Sequence, residues 1–243
     1  ADIISPTSGD EYYEYAMHIL GKENNLEKAS KWFILAAEKG NSKAKRAYGG
    51  MLCYGLTVDK DVDKGLKLLH EGAEEGVKEA QHDLYHFYRY GFETVKKDYK
   101  KAFTWAMMAA EQDDIYAMNS VGDCYRDGIG TEKKLAKAYK WYKKGADKGN
   151  KEAKISLINF MDANHKQFKD NKYYITLLEE LVKENDPFGL FTLGRVYALG
   201  ESDVQKDLSK GTDLLEKAAQ NGSVRAYYVL GIAHHGTPKA FKY

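Results

Sequence analysis

Apolar residues recur at helical spacing along nearly the whole chain, in two kinds of segment that alternate. A segments are twelve residues long and B segments are fourteen, and each kind returns every 36 or 37 residues, except that the first A segment precedes the second by 33 residues. The A segments are 11–22, 44–55, 80–91, 117–128, 153–164, 189–200 and 226–237, and the B segments are 27–40, 63–76, 100–113, 136–149, 173–186 and 209–222. The first A segment is degenerate, and segment 173–186 fills its place with bulkier residues.

Both kinds of segment are predicted to be helices. In the A segments Ala44, Tyr48 and Leu52 share one helix face, and Ala117, Val121 and Tyr125 match them. In the B segments a Trp and a small pair recur, and the closing glycines suit a left-handed helix end. These glycines are Gly40, Gly76, Gly149 and Gly222. Two or three residues then connect each B helix to the next A helix, and so short a connection requires that the two helices are antiparallel neighbours.

The pattern predicts an all-α protein, a right-handed α-solenoid of about six to seven antiparallel helix pairs in which stacking buries a continuous core. We expect a single solenoid over residues 1–243. Its repeats are 10–40 (degenerate), 41–76, 77–113, 114–149, 150–186 (divergent), 187–222 and a partial 223–243.

Two stretches carry a resemblance to a known family. "VGDCYRDGIG" (121–130) with "AKAYKWYKKGADKG" (136–149), and "LGRVYALG" (193–200) with "KGTDLLEKAAQNG" (210–222), resemble the Sel-one-like repeat family, a relative of the tetratricopeptide repeats. The resemblance implies a non-catalytic scaffold or adaptor that presents a concave surface, lined by A helices, to another protein. The fourth repeat departs from the pattern. Ile158 stands where the A helix has glycine, and Val182 and Lys183 replace the small pair, so we expect wider helix spacing or a bend there.

The composition of the chain limits the classes of partner and the locations to be expected. The 37 Lys and Arg residues nearly balance the 36 Asp and Glu residues, which gives no electrostatic reason to expect nucleic acid. No run approaches the roughly 20 apolar residues of a membrane span. The two cysteines, Cys53 and Cys124, cannot form a disulfide framework. Because the chain begins with Ala1, the sequence leans towards export with removal of a signal, and a cytoplasmic location stays open.

The arginines mark a candidate binding surface. With the first residue of each A segment as slot 1, all five arginines fall in slots 0, 3, 7 or 10, which form one helical stripe opposite the core slots 1, 5 and 9. Arg and aromatic residues are typical of binding hot spots. The predicted partner-binding residues are Arg46, His82, His86, Arg89, Tyr116, Asn119, Asp123, Arg126, Phe188, Phe191, Arg195, Arg225 and Tyr228, and His235 lies on the same stripe.

This stripe predicts a groove for an extended or helical protein segment with Asp, Glu or aromatic residues, because Arg binds carboxylates and stacks on rings. Arg89, Arg126 and Arg195 are its centre. The alternative is that the arginines pair with Asp123, Asp127 or Asp162 of this chain and hold the repeats in register.

The stretch "HDLYH" (82–86) raises the question of a metal site, since His82 and His86 share one helix face. Asp83 lies off that face where a zinc protease has Glu, so no general base is present. The third ligand would have to be Asp123, one repeat later, in a strained arrangement. The histidines are instead interpreted as hydrogen-bonding groove residues, and no catalytic residue, metal or cofactor is predicted.

The leading interpretation is therefore a non-catalytic protein-interaction scaffold. A toxin-neutralising immunity protein or a host-interaction factor of the same fold is the alternative. A metal-dependent or β-lactam-binding enzyme is a further one, although the paired cysteines of the β-lactam-binding branch are absent.

Overall fold

A computed structural model describes the backbone of residues 6–168 and 170–233 and the side chains of these residues up to Gly231; His235 lies outside this part. The described residues form thirteen α-helices and no strand. The A helices are α1 (Gly9–Glu23), α3 (Ser42–Tyr54), α5 (Lys78–Tyr90), α7 (Ile115–Asp127), α9 (Lys151–Ala163), α11 (Pro187–Leu199) and α13 (Val224–Ala233). The B helices are α2 (Leu26–Glu38), α4 (Val62–Glu74), α6 (Tyr99–Glu111), α8 (Leu135–Asp147), α10 (Asn171–Lys183) and α12 (Leu208–Gln220). The predicted all-α repeat fold is confirmed.

The helices begin at short polar side chains. Most have an Asp or Asn at the N-cap whose carboxylate or amide oxygen accepts a hydrogen bond from a backbone N–H of the first turn, which satisfies a donor without a partner in the helix. Asn41 does this for α3 and Asp114 for α7, at 2.7 Å in each case. The four B-segment glycines have φ between 86° and 95°, so the predicted left-handed helix ends are confirmed.

The chain divides into two compact units, residues 1–148 and 149–243. In the first unit, helices α1 to α8 pack against their neighbours in chain order. Its core contains the predicted slots: Ala44, Ala117 and Val121 are fully buried. In the second unit, α9 to α13 also pack in chain order. The prediction of one solenoid over all 243 residues stays a prediction.

The divergent fourth repeat packs less closely than the others, as expected. Helices α9 and α10 share far fewer close backbone approaches than the helices of the other pairs. Ile158 is fully buried in the slot where α3, α7 and α11 have glycine. Among the described residues, no helix is both long enough and apolar enough to cross a membrane.

Candidate functional site

The A helices of the first unit carry eight of the predicted partner-binding residues. They are Arg46 on α3, His82, His86 and Arg89 on α5, and Tyr116, Asn119, Asp123 and Arg126 on α7. We call the surface that α1, α3, α5 and α7 form on the side away from the B helices the A-helix surface.

Arg46 is already paired within the chain. Its Nε donates to Asp83 Oδ2 at 2.7 Å and its second guanidinium nitrogen to Oδ1 at 3.4 Å, so that the pair joins α3 to α5. Both side chains keep a third or more of their surface in solvent. Such a pair sets the helix register and stabilises little. It is of the register-holding kind weighed from the sequence, although the carboxylate is Asp83 rather than one of the three considered there.

Arg126 is paired twice. It donates to both carboxylate oxygens of Asp127, at 2.8 and 2.6 Å, and lies 3.0 Å from the carboxylate of Asp123. The hydroxyl of Tyr142, on α8, donates to the same Asp123 at 2.6 Å. Burial and the neighbouring carboxylate of Asp123 raise the pKa of Tyr142 above its usual value. The group therefore fastens α7 to α8.

In the second unit Arg195 has a similar role. Its guanidinium lies 3.2 Å from Glu201 and 3.9 Å from Asp162, which is on α9. Phe188 and Phe191 are half-buried on the same helix. Arg225 and Tyr228, on α13, are exposed.

Arg89 differs from these three arginines. No carboxylate of the described residues lies within the 4.0 Å ion-pair distance of its guanidinium, which rests over the Tyr90 ring at 5.4 Å. Its Nε is buried and has no hydrogen-bond partner, and the same is true of the amide oxygen of Asn119 on α7. An unmet donor and an unmet acceptor on adjacent A helices are the kind of exception that native proteins tolerate at functional sites.

The two histidines form the centre of a row of rings across α5 and α7. The ring centroids of His82 and His86 are 4.6 Å apart; His82 stacks on Tyr85 at 5.7 Å and on Tyr116 at 6.4 Å, and His86 stacks on Tyr90 at 6.0 Å.

Burial lowers the pKa of His82 and of His86, and for His86 the proximity of His82 lowers it further. The Nε2 of His82 is 3.3 Å from the Ser120 hydroxyl. The rings are thus neutral near pH 7 and suited to stacking and hydrogen bonding.

No metal-binding group is formed by the described residues, in which three or more His, Cys, Asp or Glu side chains nowhere converge. Asp123, the only third ligand considered from the sequence, is engaged by Tyr142 and Arg126 instead. Cys53 and Cys124 are free and buried, and burial raises the pKa of each thiol to about 11.

Sequence reasoning missed an apolar cavity on this surface. It has a volume of about 560 Å³ between α1, α3 and α5 and reaches Phe33 of α2 and Leu69 of α4, and its other lining residues include Met17, Gly50, Tyr54, Phe87 and Arg46. We call it the apolar cavity. Gly50 and Met17 occupy slot 7 of their A segments, the slot of His86 and Arg195. Their apolar character in a polar slot was the signal available in the sequence.

A second cavity of about 420 Å³ lies beside it, between α3, α5 and α7, and shares Arg46, Glu79 and Asp83 with the first. Its walls carry more carboxylates than cations, so we call it the acidic cavity. The charged lining residues are Glu79, Asp83, Asp113 and Asp114 against Arg46 and Lys78, together with His82.

Comparison with known proteins agrees with this architecture. A family model described as the Sel1 repeat matches residues 11–41, 42–77, 78–114, 115–150 and 187–223. A crystal structure of a Sel1 repeat protein from Oxalobacter formigenes superposes with a TM-score of 0.77 at 23% identity, over 90% of this chain and 91% of that one. At this identity the likeness concerns the fold.

Two curated relatives are similar over parts of their length. A Sel1-like repeat-containing protein of Schizosaccharomyces pombe is 24% identical over 234 residues, 89% of this chain and 34% of that protein. The DAP3-binding cell death enhancer 1 of Rattus norvegicus is 31% identical over 187 residues, 58% of this chain and 36% of that protein. The chain spans about a third of the length of these two relatives.

Proposed function

Since the chain belongs to the Sel1 repeat family, we propose that it is a non-catalytic scaffold that binds another protein on the A-helix surface of its first unit. The observation that carries the proposal is the combination, on the same A helices, of a solvent-open apolar cavity and a row of stacked rings. Exposed aromatic and Arg side chains around a concave site are what protein interfaces use as anchors. A relative whose name states that it binds another protein, the DAP3-binding enhancer, supports the same class of role.

The binding face divides into two parts with different chemistry. Across α5 and α7, the row of rings ends at Tyr116, which is 55% exposed, and the Arg89 guanidinium lies over the Tyr90 ring. Across α1, α3 and α5, the apolar cavity opens beside the Arg46–Asp83 pair. A partner that covers both parts gains apolar burial from one and ring stacking from the other.

Affinity capture from an extract of the source organism tests this function. The wild-type chain is compared with the Arg89→Ala/Tyr116→Ala variant, which removes side chains of the A-helix surface without breaking an ion pair. The matched control is Lys67→Ala/Lys140→Ala, which changes exposed residues on the B helices α4 and α8.

We expect one protein to be retained by the wild type and the control and released by the variant. Its purified form should bind the variant at least tenfold more weakly by calorimetry, with unchanged helical circular dichroism. Retention of nothing above background, or equal binding by all three forms, contradicts the proposal.

A further inference from the structure

His82 and His86 bring two imidazole rings together on the A-helix surface, one turn apart on α5. Their ring centroids are 4.6 Å apart, and the ring planes are inclined to each other by 67°, so the two rings do not lie face to face. His82 is half-buried against α7, whereas His86 is exposed. The pair therefore has one fixed ring and one ring that solvent reaches.

Two imidazoles in this arrangement have the separation that a shared metal ion requires. At a Zn–N distance of about 2.0–2.1 Å, two imidazole ligands of a tetrahedral ion have ring centroids about 5 Å apart. The centroids of His82 and His86 are already close to this separation. Two histidines four residues apart on one helix are also the pair that zinc proteases use to hold their metal.

Ser120 of α7 fixes which nitrogen of His82 is available. Its hydroxyl donates to the Tyr116 carbonyl oxygen at 3.3 Å, so the hydroxyl oxygen accepts from the Nε2–H of His82, also at 3.3 Å. With the proton on Nε2, the Nδ1 of His82 keeps its lone pair for a metal. Histidine ligands generally donate their second ring N–H to an oxygen in this way, which holds the ring in place.

The chain supplies two ligands and leaves the other coordination positions open. In the part of the chain that the structure describes, no group of three or more His, Cys, Asp or Glu side chains converges. Cys53 and Cys124, whose thiolates would compete for such an ion, are buried. Water, or a donor side chain of a bound protein, would fill the remaining positions.

We propose that His82 and His86 together bind one divalent ion of the late first transition series, such as Zn²⁺, through two imidazole nitrogens with water in the other positions. Imidazole suits Zn²⁺, Ni²⁺ and Cu²⁺, whereas Mg²⁺ and Mn²⁺ prefer oxygen ligands. The inference goes beyond the scaffold function and does not depend on it.

Calorimetric titration with Zn²⁺ alone tests the site at pH 7.5, where imidazole is mostly neutral. The adjacent His234 and His235 are replaced by Gln in every form, so that they add no second pair of imidazoles. This parent is compared with His86→Gln and His82→Gln. The matched control is His18→Gln/His165→Gln, which removes two exposed histidines that have no second histidine one turn away.

We expect one Zn²⁺ to bind each chain of the parent. His86→Gln and His82→Gln should each weaken this binding at least tenfold with unchanged circular dichroism, and the control should change it less than twofold. Mg²⁺ and Mn²⁺ should bind at least tenfold more weakly than Zn²⁺. X-ray absorption at the zinc edge should show two imidazole ligands, with oxygen in the other positions.

Three results would each overturn the inference. They are the absence of saturable Zn²⁺ binding, equal Zn²⁺ binding by the parent and His86→Gln, and equal binding of Mg²⁺ and Zn²⁺. A zinc-dependent dimer with half an ion per chain would also refute it, because histidines of a second copy would then replace the water. Since the probe is the metal ion alone, none of these results bears on capture of a partner protein through Arg89 and Tyr116.

Discussion

Gly49 and Gly50 are consecutive residues of one helix, and their replacement by alanine should have opposite effects on stability. Either change adds about 1 kcal/mol of helix propensity. At Gly50 no contact among the described residues opposes this gain, because none of their atoms lies within 4 Å of the added methyl group outside the helix itself. At Gly49 the methyl group would come within 2.8 Å of the Gly65 carbonyl oxygen and within 3.0 Å of Leu69 Cγ. Backbone cannot rotate away as a flexible side chain does, so α3 and α4 must separate.

Overpacking of this kind typically costs about 1–3 kcal/mol. We therefore expect Gly50→Ala to raise the free energy of unfolding by about 0.5–1 kcal/mol and Gly49→Ala to lower it by up to about 2 kcal/mol. Urea titration followed by circular dichroism measures both, and the midpoint should shift while the slope with denaturant stays constant. Two changes of the same sign would refute the assignment of one glycine to helix packing and the other to an open cavity.

Three other changes test the contacts described above. Tyr142→Phe removes the hydroxyl that donates to Asp123, and urea titration should show a loss of about 1–3 kcal/mol; an unchanged midpoint would contradict a structural role for this bond. Arg46→Ala should cost only about 0.2–1 kcal/mol by the same assay, because its ion pair is exposed, and a larger loss would contradict that. His82 and His86 have a pKa below the ordinary value of 6.5 in the folded protein. The unfolded chain therefore binds more protons as the pH falls below that value, and stability declines. Replacing both histidines by Gln should flatten urea midpoints measured between pH 7 and 5, and an unaltered slope would contradict the assignment.

The fold could be predicted because the same pattern of core residues and helix ends recurs in successive repeats. Ala44 and Ala117 fill equivalent slots, and Gly40 and Gly149 end equivalent helices with φ of 88° and 86°. Short connections leave neighbouring helices no arrangement but antiparallel contact. The looser packing of the pair α9–α10 was also expected from the sequence, although Ile158 alone does not explain it, since Tyr85 fills the same slot on α5 and α5 packs closely on α6.

The A-helix surface was only partly predictable. Helical periodicity indicates on which side of a helix a residue lies, but it does not indicate which residues of the next helix that residue contacts. Slot 10 illustrates this: Arg126 is half-buried in it on α7, whereas Cys53 is fully buried in it on α3, where its sulfur faces Gly65. Slots assigned to one polar stripe thus differ in burial from repeat to repeat.

Ion pairs between repeats depend on the same unseen rotation. Arg46 in slot 3 meets Asp83 in slot 4 of the following repeat, whereas Arg195 in slot 7 is nearest, across repeats, to Asp162 in slot 10 of the preceding one. No rule of sequence spacing relates these two pairs. Only the packed helices determine them, and for that reason Asp83 could not be identified as a partner of Arg46 beforehand.

Because Arg46 and Arg126 are paired within the chain, ion pairs with these arginines contribute little to the free energy of binding a partner. An acidic partner at Arg46 or Arg126 would have to displace a carboxylate that the chain itself supplies, exchanging one ion pair for another with little net gain. Apolar surface is not satisfied in this way: Met17, Gly50 and Tyr54 remain open to solvent, and covering them releases about 25 cal/mol for each Å². The intramolecular ion pairs that fix the register of the A helices are thus the physical reason to look for the partner's anchor at Gly50.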